Sequence, residues 1–207
     1  MKGEGGRVKG KEKWQIQVGK VWNVSFAYHN GITALPPEPI VMETLRDWTT
    51  FGADGDAVST SLRYFSGTAT YRTTFTFPDS STPSLPHSST LTLSLGSVST
   101  GVAHVFVNGK DCGVAWCAPW EVDISSAVRE GDNEVEIRYT NNWYNRLVGD
   151  CFLKPEDRVT RSTLQYWRQS RKDKTDKNPL HRRTRYSGPS ADDPLQPSGL
   201  LGPVSIK

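Results

Sequence analysis

Residues 103–109 read AHVFVNG, and residues 133–139 read NEVEIRY. In both stretches apolar residues alternate with polar ones, which is the period of a β-strand that buries one face. The first stretch ends in Asn108-Gly109, the dipeptide that two-residue hairpin turns prefer. The sequence therefore predicts two strands of a half-buried antiparallel sheet, with a hairpin after the first.

The alternation continues outward from these two stretches in both directions. Clusters of turn residues separate the apolar runs at 78–89 and 129–133. The one short helical signal in the first three quarters of the chain is DISSAVREG at 123–131. Because the sequence shows neither a long amphipathic helix nor an alternation of strands with helices, we predict an all-β fold, an antiparallel β-sandwich of the jelly-roll type. The other predicted strands lie at 14–18, 21–26, 69–77 and 91–95 and within 198–206.

Charge is distributed unevenly along the 207 residues, whose formal net charge is +3. Residues 1–13 are basic and glycine-rich, residues 168–185 form a second basic run, and neither has an apolar pattern. Such composition is typical of flexible or solvated chain. Because apolar residues return at 198–206, we expect one β-sandwich domain over 14–207, with a flexible N-terminal segment before it and a basic loop inserted at about 154–190.

The basic run also raises the hypothesis of a nucleic-acid site, since Trp167 and Tyr186 lie near its lysines and arginines. Asp173 and Asp176 interrupt the run, and no sequence motif of a nucleic-acid-binding fold accompanies it. We therefore favour a solvated loop and expect no nucleic-acid partner.

Neither a metal nor another cofactor is predicted. The three cysteines, Cys112, Cys117 and Cys151, form no disulfide framework, and no histidine follows the first two at the spacing of zinc ligands. No apolar run reaches the length of a membrane span, so no membrane partner is expected. The residues themselves leave the localisation open.

Three blocks of the sequence carry a family resemblance, and they occur in the family's order: RYFSGTATYRTTF (63–75), the block from VFVNGKDCG to NNWYNRLVGD (105–150), and LQPSGLLGPVSI (195–206). Together they resemble the C-terminal jelly-roll domain of bacterial α-L-rhamnosidase-type glycoside hydrolases. More broadly, the middle block resembles the sugar-binding, galactose-binding-like domain of family 2 glycoside hydrolases. The resemblance implies a galactose-binding-domain-like β-sandwich.

In the family that the chain resembles, catalysis belongs to a separate barrel domain, which alone takes about 250 residues. The resemblance therefore implies a non-catalytic accessory domain, or a fragment, that supports or docks on a glycoside hydrolase catalytic domain. Parent enzymes of this type are often exported to the periplasm or out of the cell. An autonomous carbohydrate-binding module is the alternative hypothesis, and an active enzyme is a third, which the length of the chain disfavours.

Hydrolysis of a glycoside usually needs two carboxyl groups, one on each side of the scissile bond. The chain could therefore catalyse this reaction only if it places two Asp or Glu side chains in that arrangement. The acidic residues of this chain lie mostly in predicted turns, and no recognisable motif places a pair of them. We therefore predict no catalytic residue.

The stretch NNWYNRLVGD at 141–150 breaks the preceding alternation and supports three hypotheses. A sugar site would use Trp143 as a platform and Asn141, Asn145 and Arg146 as hydrogen-bond donors. A catalytic site would need the terminal aspartate as acid or base, with a partner that the sequence does not identify. A structural corner would pair the arginine with that aspartate and bind irregular backbone with the asparagines. A similar run is a signature of the rhamnosidase-type domain, so the resemblance favours a structural corner that faces a neighbouring domain.

Two more tryptophans, Trp116 and Trp120, flank CAP in a predicted loop, whereas those in alternating strands are predicted core residues. Such aromatic loops predict an exposed apolar patch with some of Trp116, Trp120, Trp143 and Leu201, and hence self-association. The predicted partners are a carbohydrate or a glycoside hydrolase catalytic domain. The candidate carbohydrate-binding or domain-docking residues are Trp116, Trp120, Asn141, Trp143, Asn145, Arg146 and Asp150.

Overall fold

The computed structural model describes residues 15–27, 36–52, 61–78, 90–154, 156–160 and 189–207. The predicted flexible segment at 1–13, the basic run at 168–185 and most of the predicted insertion at 154–190 lie outside the described residues, so the domain boundaries stay predictions. Within the described residues, no helix is long and apolar enough to cross a membrane.

Strands are the main regular structure of the described chain, and every pair of named strands is antiparallel. They are β1 (Ile16–Gln17), β2 (Trp22–Phe26), β3 (Ile40–Met42), β4 (Thr68–Phe77), β5 (Thr92–Ser94), β6 (Ser97–Val98), β7 (Gly101–Val107), β8 (Lys110–Ala115), β9 (Glu121–Asp123), β10 (Gly131–Asn141), β11 (Leu200–Gly202) and β12 (Ser205–Ile206). One sheet has six strands in the order β3-β2-β4-β10-β7-β8, a second has four in the order β1-β12-β5-β9, and β11 pairs with β6. The all-β prediction is therefore confirmed.

Both larger sheets contribute to one apolar core. Along β10, Val135, Ile137 and Tyr139 are fully buried, and the positions between them are exposed or half-buried. Leu93 and Ile206 of the four-stranded sheet are equally buried in the same cluster. The period of two that NEVEIRY shows thus follows from a strand with one face in the core of a sandwich.

Asn108 and Gly109 form the turn between β7 and β8, with φ angles of 52° and 76°. Two left-handed residues between the paired Val107 and Lys110 are the arrangement of a type I′ turn, so the predicted hairpin is confirmed. The side chain of Asn108 fixes the turn to the neighbouring loop, because its Nδ2 donates to the carbonyl oxygen of Ala127 at 2.9 Å.

The C-terminal residues return to the sandwich, as the apolar residues at 198–206 predict. Leu200 is fully buried and Leu201 half-buried, which is the expected outcome for neighbours in a strand. Gly199, directly before them, has a φ of 107°, and a Cβ atom there would lie 2.6 Å from Nε1 of Trp48 and 2.9 Å from the hydroxyl of Tyr71. The returning chain therefore needs glycine at this position.

Candidate functional site

The segment after β10 is a short helix, α1 (Tyr144–Asp150), which the sequence pattern does not predict. Trp143 is its N-cap residue, and the side chain of Trp143 makes no capping hydrogen bond. The helix buries Asn145, Arg146 and Asp150 together with apolar residues. The hydrogen-bond partners of these polar side chains therefore bear directly on the three hypotheses for this stretch.

Asn141 joins the end of β10 to the chain before β4. Its Oδ1 accepts a hydrogen bond from the backbone N–H of Gly67 at 2.9 Å, and its Nδ2 donates to the carbonyl oxygen of Phe65 at 2.8 Å. A longer contact of 3.3 Å joins Nδ2 to Oγ of Ser198. The side-chain amide of Asn141 thus satisfies backbone groups of Phe65 and Gly67 just before the pairing of β4 with β10 begins, as the structural hypothesis expects.

Asn145 holds the returning C-terminal chain in the same way. Its Oδ1 accepts from the backbone N–H of Gln196 at 2.8 Å, and its Nδ2 donates to the carbonyl oxygen of Gln196 at 2.7 Å. The same Nδ2 lies 3.1 Å from Oγ of Ser198. A single buried side chain therefore satisfies both backbone groups of one residue in a segment that has no strand partner there.

Two further side chains, which the sequence did not indicate, also hold the returning C-terminal chain. Asp47 accepts the backbone N–H of Ser198 at 2.9 Å through Oδ1, and Asn142 donates from Nδ2 to Oε1 of Gln196 at 3.0 Å. Asn142 also accepts the backbone N–H of Tyr144 at 3.0 Å, which forms the turn that leads into the helix. Asn142 could have been noticed in the sequence because it follows Asn141 where the alternation of β10 ends. The contacts with Gln196 and Ser198 could not, because they join residues far apart in sequence.

Arg146 and Asp150 form a buried ion pair across one turn of α1. Nε and Nη2 of Arg146 lie 2.9 Å and 2.6 Å from Oδ1 of Asp150, and the two side chains are only 9% and 4% exposed. The other carboxylate oxygen, Oδ2, accepts the backbone N–H of Thr160 at 2.7 Å and also its hydroxyl. The ion pair that the structural hypothesis predicted is confirmed.

The environment of Asp150 favours its ionised form. Burial on its own would raise the pKa of this carboxyl, but the hydrogen bonds from Thr160 and the charge and hydrogen bonds of Arg146 outweigh burial, and the pKa is lowered from its ordinary value. Both carboxylate oxygens already have partners. An aspartate in this state is a weak proton acceptor and does not suit the role of acid or base.

The three candidate tryptophans have different environments. Trp116 lies in the loop after β8 and is 71% exposed, whereas Trp143 is 42% exposed at the start of α1. Trp120 packs partly against the core, and its carbonyl oxygen accepts the backbone N–H of Leu95 at 2.9 Å. The structure therefore brings together the four polar candidates and Trp143, and it leaves Trp116 and Trp120 on a separate loop.

Of the residues of the predicted exposed patch, Trp116 and Trp143 are exposed on different segments, Trp120 packs partly against the core and Leu201 is half-buried. Phe152 and Leu153, directly after α1, are 61% and 37% exposed, and the ring of Phe152 lies 5.8 Å from that of Tyr64. We call Trp143, Phe152 and Leu153 the corner surface. In the part of the chain that the structure describes, no group of three or more His, Cys, Asp and Glu residues could hold a metal ion.

The sequence of this chain is similar to those of known glycoside hydrolases. Residues 56–175 match the family described as glycosyl hydrolase 2 galactose-binding domain-like. A putative β-glucuronidase of Formosa agariphila is 32% identical over 201 residues, which cover 92% of this chain and 15% of that protein. The chain thus spans about a seventh of that relative, 15% of its length.

A solved structure of a rhamnosidase shares the fold. A rhamnosidase from Novosphingobium sp. PP1Y matches with a TM-score of 0.65 and 32% identity, covering 97% of this chain and 16% of that one. A β-glucuronidase from Ruminococcus gnavus has a TM-score of 0.47 and 19% identity over 65% of this chain and 22% of its own. The predicted resemblance to family 2 glycoside hydrolases is confirmed, and the chain belongs to the glycosyl hydrolase 2 galactose-binding domain-like family.

Proposed function

We propose that the chain is a non-catalytic accessory domain of a carbohydrate-degrading glycoside hydrolase of the α-L-rhamnosidase type, where it supports or docks on a catalytic domain. One observation carries the proposal: 97% of the chain matches a rhamnosidase at 32% identity, yet it covers only 16% of that enzyme. The remaining, larger part of such a protein has room for the barrel that glycoside hydrolysis needs, at about 250 residues.

The corner supports the same proposal, because its polar groups serve the fold. The amides of Asn141 and Asn145 bind backbone groups within the domain, and the carboxylate of Asp150 is shared between Arg146 and Thr160. In the described part of the chain, no buried side-chain N or O atom lacks a hydrogen-bond partner. A substrate would have to displace these bonds, so we assign the cluster to the architecture of the domain.

The corner surface is the proposed docking area for the neighbouring domain. Trp143 precedes α1, Phe152 and Leu153 follow it, and all three side chains expose apolar area, while the helix between them buries Asn145, Arg146 and Asp150. Aromatic residues on a rigid support are typical of the centre of an interface between proteins or domains. Under this proposal the corner residues position the surface, and none of them contacts a substrate.

Hydrolysis by the purified 207-residue chain is the test. Aryl α-rhamnosides, aryl β-galactosides and aryl β-glucuronides should be incubated with the chain, with an active glycosidase as the positive control. We expect no turnover above the buffer rate. Turnover that disappears when one Asp or Glu is replaced would overturn the proposal, because it would place the chemistry within this chain.

An autonomous carbohydrate-binding module is the second candidate, which the exposure of Trp116 favours.

A further inference from the structure

The loop between β8 and β9 begins with Trp116-Cys117-Ala118-Pro119, and all four residues are exposed and uncharged. Trp116 is the most exposed of the large apolar side chains in the described residues, at 71%. The sandwich holds both ends of this run. Ala115 before it is buried, and the carbonyl oxygen of Trp120 after it accepts the backbone N–H of Leu95 at 2.9 Å. Consecutive exposed apolar residues are unfavourable in water, so such a run indicates a contact with another surface.

The register of the six-stranded sheet places this loop at the same end of the sandwich as the corner. On β7, Gly101 pairs with Asn141 of β10, and Ala103 pairs with the last residue of β8. Val102 lies between these two residues and is 42% exposed. The loop therefore leaves the sheet beside Val102, two strands and about 10 Å from the point where β10 ends in the corner.

Within the described residues, the exposed side chains at this end of β7 and β10 are uncharged. The nearest ionisable side chains on the two strands, His104 and Arg138, lie two residues nearer the middle of the sheet. An area depleted in charge and bordered by polar groups is typical of the centre and rim of a protein interface. We call this area the sheet end, and its residues are Thr100, Val102, Trp116, Thr140 and Asn142.

The polar groups of the sheet end bond to partners within the domain. Oγ1 of Thr140 lies 2.7 Å from Oγ1 of Thr68. Nδ2 of Asn142 donates to Oγ1 of Thr100 at 3.1 Å and to Oε1 of Gln196 at 3.0 Å. Because these groups have partners already, an apolar surface that covers them leaves none of them unsatisfied, and their burial costs little. The sheet end therefore suits a partner that packs on it better than a ligand that needs its hydrogen bonds.

The small size of the corner surface indicates that an interface there extends further. A stable interface buries about 800 Å² on each side, whereas Trp143, Phe152 and Leu153 are three partly exposed side chains. After Leu153 the described chain continues with exposed charged residues at 154 and 156–158. Before Trp143 it leads through Asn142 to the uncharged sheet end. The direction in which charge is depleted is therefore the direction of Trp116.

We propose that the corner surface and the sheet end form one continuous docking surface for the neighbouring catalytic domain, with Trp116 as its outer anchor. The inference rests on the proposed accessory role, in which the occupant is part of the larger enzyme: the matched rhamnosidase has only 16% of its length in common with this chain. The surface fits an uncharged partner face with an apolar recess for the indole, since buried tryptophans are frequent anchors of interfaces. Docking in this way leaves Trp116 no role as a sugar platform.

The experiment uses the full 207-residue chain in two contexts, alone and exchanged for the matching part of the Novosphingobium rhamnosidase. Activity on an aryl α-rhamnoside shows that the host part of the hybrid is folded. Proteolysis at increasing temperature, followed by mass spectrometry, gives the melting temperature of the sandwich in each context. Trp116→Ser tests the sheet end and Phe152→Ser the corner surface. Val41→Ser, which changes a 65% exposed side chain on the edge strand β3, is the matched control.

We expect the sandwich to melt at a higher temperature in the hybrid than alone. Trp116→Ser should lower the melting temperature in the hybrid by about 4–8 °C and leave it unchanged in the chain alone, and Val41→Ser should change neither. A hybrid that is insensitive to Trp116→Ser but sensitive to Phe152→Ser would overturn the sheet end and leave the corner surface in place. A sandwich that melts alike in both contexts would overturn docking at both surfaces.

Sedimentation of the chain alone is the second measurement, and it needs no hybrid. Without its partner, the same continuous surface should associate with itself, and Trp116→Ser should weaken that association about tenfold or more. Association that depends on Phe152 and not on Trp116 would overturn the sheet end. The hydrolysis assay of the chain alone is independent of these outcomes, so the docking surface and the non-catalytic role can fail separately.

Discussion

Arg146 and Asp150 lie one helical turn apart, and both guanidinium contacts, at 2.9 Å and 2.6 Å, reach the same carboxylate oxygen. The second oxygen of Asp150 is thereby left for Thr160, ten residues further along the chain. One buried carboxylate thus connects the helix α1 to the segment that follows it. Each end of the corner is held by a polar side chain within the domain: Asn141 and Asn145 at the start, and Asp150 at the end.

The free energy of unfolding should depend on pH through the protonation of Asp150. Its pKa is lowered in the folded chain by Thr160 and Arg146, which outweigh the opposing effect of burial, so the unfolded state binds the proton more tightly. The stabilisation is complete above the unfolded pKa, about 3.9, and is lost as the pH falls through the lower folded pKa. We expect the free energy of unfolding, measured by urea titration from pH 6 downward, to fall with acidification.

Thr160→Val is the variant that isolates this contribution. It removes the hydroxyl that donates to Oδ2 while the Arg146 pair remains, so the pKa of Asp150 should move back towards its ordinary value. The loss of stability with acid should then be shallower than in the parent chain. An identical slope in the two chains would contradict this role of Thr160.

Gly199 should tolerate no side chain. Its φ of 107° strains any other residue, and a Cβ would lie 2.6 Å from Nε1 of Trp48. Gly109 is the matched control, because its φ is 76° but nothing lies within 4 Å of a Cβ there. We expect Gly109→Ala to cost about 1–2 kcal/mol from backbone strain and Gly199→Ala about 1–3 kcal/mol more from overpacking. Equal melting temperatures would contradict the close approach.

Asn145→Ala should release the returning chain locally. The variant leaves the backbone N–H and carbonyl of Gln196 without their partner, at a cost of about 1–3 kcal/mol. Hydrogen exchange of the Gln196 amide should accelerate strongly. The amide of Thr92, which bonds to the carbonyl of Lys207 at 3.1 Å, is the internal reference and should exchange as before. Unchanged protection at Gln196 would show that Asn145 does not hold this segment.

The strands of the sandwich could be predicted because their signal is local. Val135, Ile137 and Tyr139 alternate with polar residues in any strand that has one buried face, and Asn108-Gly109 specifies its own turn. The partners of the corner could not be predicted. Asn145 meets Gln196 and Asn141 meets Phe65, contacts that span 51 and 76 residues and leave no pattern in the sequence between them.

Which of the two loop tryptophans is exposed could not be predicted from the sequence either. Trp116 and Trp120 flank the same three residues, yet the first is 71% exposed and the second packs against the core. The difference arises because the carbonyl of Trp120 accepts the N–H of Leu95 and continues the pairing of β5 with β9, whereas Trp116 extends past the end of the edge strand β8. Sequence spacing therefore identified the loop but not which ring faces solvent.

The corner surface should make the isolated chain self-associate at high concentration. Phe152 and Leu153 expose apolar side chains that a docked domain would cover. Sedimentation over a wide concentration range should show reversible association, and Phe152→Ser with Leu153→Ser should suppress it. Val41→Ser, at an exposed position on β3, should not. A chain that stays monomeric at every concentration would contradict the proposed docking surface.

Thermal unfolding of Arg146→Ala, with glycan binding measured on the same sample, is the most direct test of the central claim that the corner maintains the fold. Removing the guanidinium leaves a buried carboxylate unpaired at a cost of about 3–5 kcal/mol, or roughly 6–20 °C in melting temperature for a domain of this size. The exposed Arg63→Ala is the control, expected to change stability by no more than about 0.5 kcal/mol. We predict a large drop in melting temperature, and below the transition the variant should behave as the parent chain does in affinity gels of neutral polysaccharides, whether or not the parent is retarded. An unchanged melting temperature with weakened glycan binding would contradict the account and assign the corner to sugar recognition.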